Sequence, residues 1–114
     1  MSQMISCGSE LIRINTTNNT IEYSIIGGRT WLVCCTSSNY GKFNDLFIWG
    51  DELLVCTSKG IYCSINRGRT WLARCTSASY GEFIQLHSDG KNLLATTSKG
   101  LFFSINAGRT WLKR

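Results

Sequence analysis

Few residues in this chain have a type and spacing suited to covalent chemistry. His87 is the only histidine, and the seven acidic residues fall into no shared motif. No acid–base pair and no nucleophile with a neighbouring base can be assembled from them. The six cysteines, Cys7, Cys34, Cys35, Cys56, Cys63 and Cys75, lack the C-x-x-C spacing that converges two sulfurs on one ion. The expectation is a protein that is no enzyme and holds neither metal nor cofactor. Binding chemistry is better represented. Tyr40 and Tyr80 are flanked by serine, asparagine and glycine, and Lys59 and Lys99 each open a Lys-Gly turn. A tyrosine ring flanked by small polar groups suits a carbohydrate or a peptide, and the lysines would favour an anionic one. Both tyrosines also suit a role as plugs between packed sheets. His87 is read as a core or channel-lining residue.

These residues sit in a chain of 114, 43% hydrophobic and 17% charged, with no proline, a composition that excludes disorder. No apolar run approaches the ~18 residues that span a bilayer, and Met1 to Met4 resemble no leader. A membrane partner is not expected, and a reducing cytoplasm is. There Asn15-Thr16-Thr17 and Asn18-Asn19-Thr20 are turn residues rather than glycosylation sites. The net charge of +5 arises from singly scattered Lys and Arg, so nucleic acid is not an expected partner either.

The elements that position these residues repeat. Gly28-Arg29-Thr30-Trp31, Gly68-Arg69-Thr70-Trp71 and Gly108-Arg109-Thr110-Trp111 recur forty residues apart, and 42–74 laid on 82–114 match at 18 of 33 positions. That is the mark of a duplication. The first unit is more diverged: Gly8-Ser9-Glu10-Leu11-Ile12 answers to Gly50-Asp51-Glu52-Leu53-Leu54, and two extra residues fall between Asn15 and Thr20. In this alignment Cys7 stands opposite Trp49, Cys56 opposite Thr96, and Cys63 opposite Tyr23 and Phe103. A cysteine that trades places with apolar residues reads as a small buried hydrophobe.

Within each unit the segments are strand-length, rich in β-branched and aromatic residues, and separated by turn residues. In the second unit they predict strands near Asp45–Trp49, Leu53–Ser58, Ile61–Ile65 and Thr70–Cys75. The third predicts strands near Gln85–Ser88, Leu93–Ser98, Leu101–Ile105 and Thr110–Lys113. Leu53-Leu54-Val55-Cys56 is apolar on both faces, as a strand with a sheet packed on each side must be. Four strands in forty residues is the period of a β-propeller blade. The chain is read as all-β, one partial propeller over 1–114 with blades at about 2–41, 42–81 and 82–114.

Ser64-Ile65-Asn66-Arg67-Gly68-Arg69-Thr70-Trp71 and Ser104-Ile105-Asn106-Ala107-Gly108-Arg109-Thr110-Trp111 resemble the Asp-box, or bacterial neuraminidase repeat, S-x-D-x-G-x-T-W, with Asn for Asp. The first copy keeps Ser24, Gly28, Thr30 and Trp31 but has Ile26 at the acidic position. The resemblance implies a structural hairpin at the blade periphery, away from any active site. Arg29, Arg69 and Arg109, which sit in it, are then read as a solvated basic rim.

Propellers close with ~4 to 8 blades, so three blades are expected to leave two apolar faces bare. The third unit stops at Arg114 without a connector like 36–43, so closure is expected to be non-covalent. Two chains about a two-fold axis would give a six-bladed ring. The leading expectation is a scaffold or binding module that self-associates as a homodimer. The alternatives are a lectin-like binder with inter-blade pockets and a fragment of a sialidase-like glycoside hydrolase or of an assembly factor.

Overall fold

In a computed structural model of the protein, residues 4–7, 9–15, 17–36, 40–66, 68–76 and 78–114 are described. Expectations that involve 1–3, Gly8, Thr16, 37–39, Arg67 and Ser77, or the side chains of Cys7, Cys34 and Cys35, lie outside the described residues.

Each repeat folds as a four-stranded antiparallel meander. The first holds β1 (Met4–Cys7), β2 (Glu10–Asn15), β3 (Thr20–Ser24) and β4 (Leu32–Thr36). The second holds β5 (Phe43–Trp49), β6 (Glu52–Thr57), β7 (Gly60–Ser64) and β8 (Leu72–Cys75). The third holds β9 (Phe83–Ser88), β10 (Leu93–Thr97), β11 (Gly100–Ser104) and β12 (Leu112–Lys113), after a 3-10 turn at Ala78–Tyr80. The first strands begin two residues earlier than the pattern predicts. The fourth begin two residues later, because Thr70-Trp71 and Thr110-Trp111 belong to the preceding turn.

Alternation along β6 builds two separate cores. Leu53 and Val55 face the first blade, where they join Ile12, Ile14, Ile21, Phe43, Leu46, Tyr62 and Trp71. Leu54 and Cys56 face the third blade and join Ile61, Phe83, Leu93, Phe102 and Trp111 among others. The middle blade is thus covered on both sides, which is why its second strand carries no polar face. Cys56 and Cys63 are buried thiols, and Cys75 is buried with them, as the repeat alignment predicts for Cys56 and Cys63.

Hydrogen bonds also join neighbouring blades. Asn44 Nδ2 donates to the Phe83 carbonyl at 2.7 Å, and Asp45 Oδ2, fully buried, accepts from the Leu86 amide at 3.1 Å. Asn19 accepts from the Phe43 amide at 2.9 Å and donates to the Gly41 carbonyl at 3.1 Å.

The Ser-x-Asn-x-Gly-x-Thr-Trp turns fold alike. Ser64 Oγ accepts from the Gly68 amide at 2.8 Å and donates to Asn66 Oδ1 at 2.8 Å, while Asn66 Oδ1 also accepts from the Thr70 amide at 2.9 Å. Ser104, Asn106, Gly108 and Thr110 repeat this set at 2.8–3.0 Å. Gly68 and Gly108 take φ of 87° and 91°, a conformation that favours glycine. In the first turn Ser24 still accepts from the Gly28 amide at 2.9 Å, but Ile26 is exposed and offers no side-chain acceptor. Trp71 and Trp111 are buried between blades, and Trp31 is only half-buried. Trp111 Nε1 donates to the Gly108 carbonyl at 3.0 Å, whereas Trp71 Nε1 is buried with no partner among the described residues.

Candidate functional site

The box turns hold an arginine at the mouth of each seam between blades. Arg69, on the second blade, reaches back to the first and donates from Nη2 to both carboxylate oxygens of Glu10 at 2.9 and 3.0 Å. Its guanidinium carbon lies 3.7 Å from the centroid of the Tyr23 ring. The expected solvated rim is therefore wrong for Arg69, which is committed to the seam through a carboxylate and an aromatic face at once.

The second seam uses the same backbone positions differently. Glu52, the counterpart of Glu10, is bound not by the third blade's Arg109 but by Arg74 of its own blade, at 2.9 and 2.7 Å. Arg74 also donates to the Ala107 carbonyl at 2.8 Å and to the sulfur of Cys63, the counterpart of Tyr23, at 3.1 Å. The hydrogen bond to Arg74 holds the Glu52 carboxyl below the usual carboxylate range and raises Arg74 in turn. Burial pushes the Cys63 thiol up, so it stays protonated and unreactive.

Cys63 is small where Tyr23 is large, and the Arg74 guanidinium, its side chain only 8% exposed, takes up part of that space. A cavity of about 530 Å³ opens there, walled by Glu52, Cys63, Ile65, Leu72, Arg74 and Arg109. Arg109 is exposed, and among the described residues its guanidinium bonds only the Asn106 carbonyl of its own turn, at 3.1 Å.

The other sequence-predicted groups lie elsewhere. Tyr40 meets Tyr62 edge-on at 4.8 Å, and Tyr80 meets Phe102 edge-on at 5.4 Å, so each half-buried ring plugs a seam. The Tyr80 hydroxyl accepts from the Trp111 amide at 3.3 Å. Lys59 and Lys99 are exposed on the turns after β6 and β10, and Lys99 donates to the Ser79 carbonyl at 3.4 Å. The structure does not bring the lysines and tyrosines to the inter-seam cavity. His87 is half-buried on the outer face of the third blade, paired across the ladder with Leu94, and its Nε2 has no partner among the described residues. Among the described residues no cluster of His, Cys, Asp and Glu is placed to hold a metal, and no helix is long and apolar enough to cross a membrane.

The sequence reading overlooked Glu10, Glu52 and Arg74. The recurrence of Glu10 and Glu52 at one repeat position, with an arginine recurring in every box, was the available signal of a cross-blade ion pair.

The two outer faces also differ, which corrects the expectation of two bare apolar surfaces. On the third blade Leu101, 36% exposed, and the half-buried Phe103 continue the pattern that forms the internal seams, while Leu94 beside them is buried. On the first blade Arg13 and Glu22 form an ion pair at 2.8 Å where the other blades carry Val55–Tyr62 and Ala95–Phe102. Trp31 lies 4.1 Å from the Arg13 guanidinium.

Three antiparallel meanders stacked face to face through two cores define an all-β repeat protein of the propeller type. No family model and no curated protein matches the chain. Among solved structures it is similar to YCF48 from Cyanidioschyzon merolae, a propeller-like protein, with a TM-score of 0.69 at 20% identity over 93% of this chain. The chain spans 38% of the length of that protein.

Proposed function

We propose that the chain is a non-enzymatic β-propeller scaffold of the Asp-box type that completes its ring by pairing with a second copy of itself. The observation that carries this reading is the outer face of the third blade. Leu101, 36% exposed, and the half-buried Phe103 stand there at the repeat positions of Ile61 and Cys63, both of which are buried in the middle blade. Exposed apolar surface of that form is a docking face. The first blade offers a matching group: Arg29 occupies the position from which Arg69 stacks on Tyr23, it is exposed, and Phe103 is the counterpart of Tyr23. Two such contacts about a two-fold axis close six blades without leaving an edge for further growth. Burial of the Cys56 and Cys63 thiols accords with a cytoplasmic protein.

A second reading takes the three blades as part of a longer single-chain propeller, and the 38% coverage of YCF48 favours it. Light scattering after size exclusion separates the two. A mass of twice 12.8 kDa, lost in Phe103→Glu, is the expected result. A folded monomer at every concentration would overturn self-closure and leave the longer-chain reading.

A further inference from the structure

The two internal seams act as each other's control. In the first, Arg69 has a carboxylate from Glu10 and a ring from Tyr23. In the second, the equivalent Arg109 hydrogen-bonds no carboxylate and stacks on no ring among the described residues, and it acts on Glu52 only through space. Arg74 has taken the Glu52 carboxylate, and Cys63 stands where the ring would be. What remains is the cavity of about 530 Å³ beneath Arg109, with the side chains of Ile65 and Leu72 as apolar wall. Both blades belong to one chain, so the cavity exists whether or not a ring closes.

We propose that this cavity is a binding site for a small aromatic carboxylate, whose ring lies against Ile65 and Leu72 beside Arg109 and whose carboxylate meets the Arg109 guanidinium. The charge balance fits a monoanion: Arg74 and Arg109 are opposed by Glu52 alone, leaving one positive charge in the wall. The ring is held by the guanidinium face and by the aliphatic wall, as planar cations and aromatics pair. The two carboxylate oxygens accept from one terminal guanidinium nitrogen, as those of Glu10 do from Arg69 Nη2. A neutral ring would satisfy only half of the site. A dianion would meet the Glu52 carboxylate.

The test is a titration of the full chain with 4-hydroxyphenylacetate, followed by amide shifts of Leu72, Ala73 and Arg109. Saturable shifts at these residues are expected, with p-cresol binding about tenfold more weakly for want of the charge-assisted contact. Cys63→Tyr should rebuild the first seam's ring and abolish binding, while Cys63→Ala leaves it intact. Arg109→Ala should weaken binding about tenfold, and Arg29→Ala should not change it. The Arg109 and Arg29 variants alter exposed side chains, so they decide the matter even if Cys63→Tyr does not fold. Absence of saturable shifts, equal binding of p-cresol, or binding unchanged in Arg109→Ala would overturn the proposal.

Discussion

The guanidinium carbon of Arg69 lies over the ring of Tyr23, 3.7 Å from its centroid, and the two residues belong to different blades. The same guanidinium grips Glu10, whose side chain is only 10% exposed. One side chain thus couples two repeats through two kinds of contact, and the box turn that presents it is more than a hairpin closure. The three box arginines then have unequal energetic weight. Arg69→Ala should cost about 1–2 kcal/mol, a value reduced from that of a fully buried pair because Arg69 is 34% exposed. Arg29→Ala and Arg109→Ala should each stay within about 0.5 kcal/mol, as exposed substitutions do. Urea unfolding of the three variants measures this. Equal costs at all three positions would mean that the seam contact carries no stability.

The box tryptophans divide in the same way. Trp71 and Trp111 are 7% and 4% exposed, the latter with its ring 5.6 Å from Phe83. Removing either indole leaves a large void between two sheets, and Trp71→Ala and Trp111→Ala should each cost roughly 3–5 kcal/mol. Trp31 is half-buried on the outer face of the first blade, beneath Arg13. Its loss should cost about 1 kcal/mol, the order of a cation–π contact with partial burial. A melting temperature unchanged by Trp71→Ala would contradict the packing of the first seam.

Much of this architecture was legible in the sequence, for a physical reason. Hairpin turns and strand alternation are local, and a duplication prints them twice, so the meanders and the two-faced β6 followed from 42–114 alone. The fourth strands were placed too early because Thr70 and Trp71 have β-forming side chains, yet their backbone is spent on closing the turn around Asn66. Arg69 was misread because its partners lie 59 and 46 positions away and meet it only when sheets stack. The polar outer face of the first blade was legible and passed over: Arg13 and Glu22 stand at the repeat positions of Val55 and Tyr62. Tyr23 and Cys63 also share a repeat position, but an opening between sheets is a property of packed volume. Sequence identity alone does not reveal how Arg74 would turn.

The hairpin glycines supply a further pair of contrasting variants. Gly60 and Gly100 occupy one repeat position with φ of 142° and 128°. A Cβ on Gly60 would run into the carbonyl of Cys75, which is backbone and cannot yield. On Gly100 it would meet only the far end of Lys113, at 3.3 Å. Gly60→Ala should therefore cost about 2–4 kcal/mol and Gly100→Ala about 1 kcal/mol, the latter mostly from the strained φ. Thermal unfolding of the two proteins tests the difference. Similar losses would show that backbone conformation, and not the close approach of β8 to β7, decides the glycine.

The Glu52–Arg74 pair predicts how stability changes with acid. The hydrogen bond to Arg74 holds the folded Glu52 carboxyl below its ordinary value of 4.5, so over the interval beneath that value the unfolded chain binds the proton more readily. Its contribution is complete above pH 4.5 and is lost as the pH falls through the folded value. Asp89, held down by the amides of Asn92 and Lys91, acts with the same sign from the exposed turn after β9. Wild-type stability should fall as the pH is lowered from about 6 to about 3, and Glu52→Gln should make that fall shallower while lowering stability at neutral pH. The neutral-pH loss arises because Arg74, only 8% exposed, keeps its bond to Ala107 but loses its charged partner. Arg74→Met should also flatten the acid limb, since the depression of Glu52 rests on Arg74 before any other group. Denaturation curves across that pH range decide the case. An acid limb in Glu52→Gln as steep as in the wild type would show that other carboxylates, and not this seam, set the acid sensitivity of the fold.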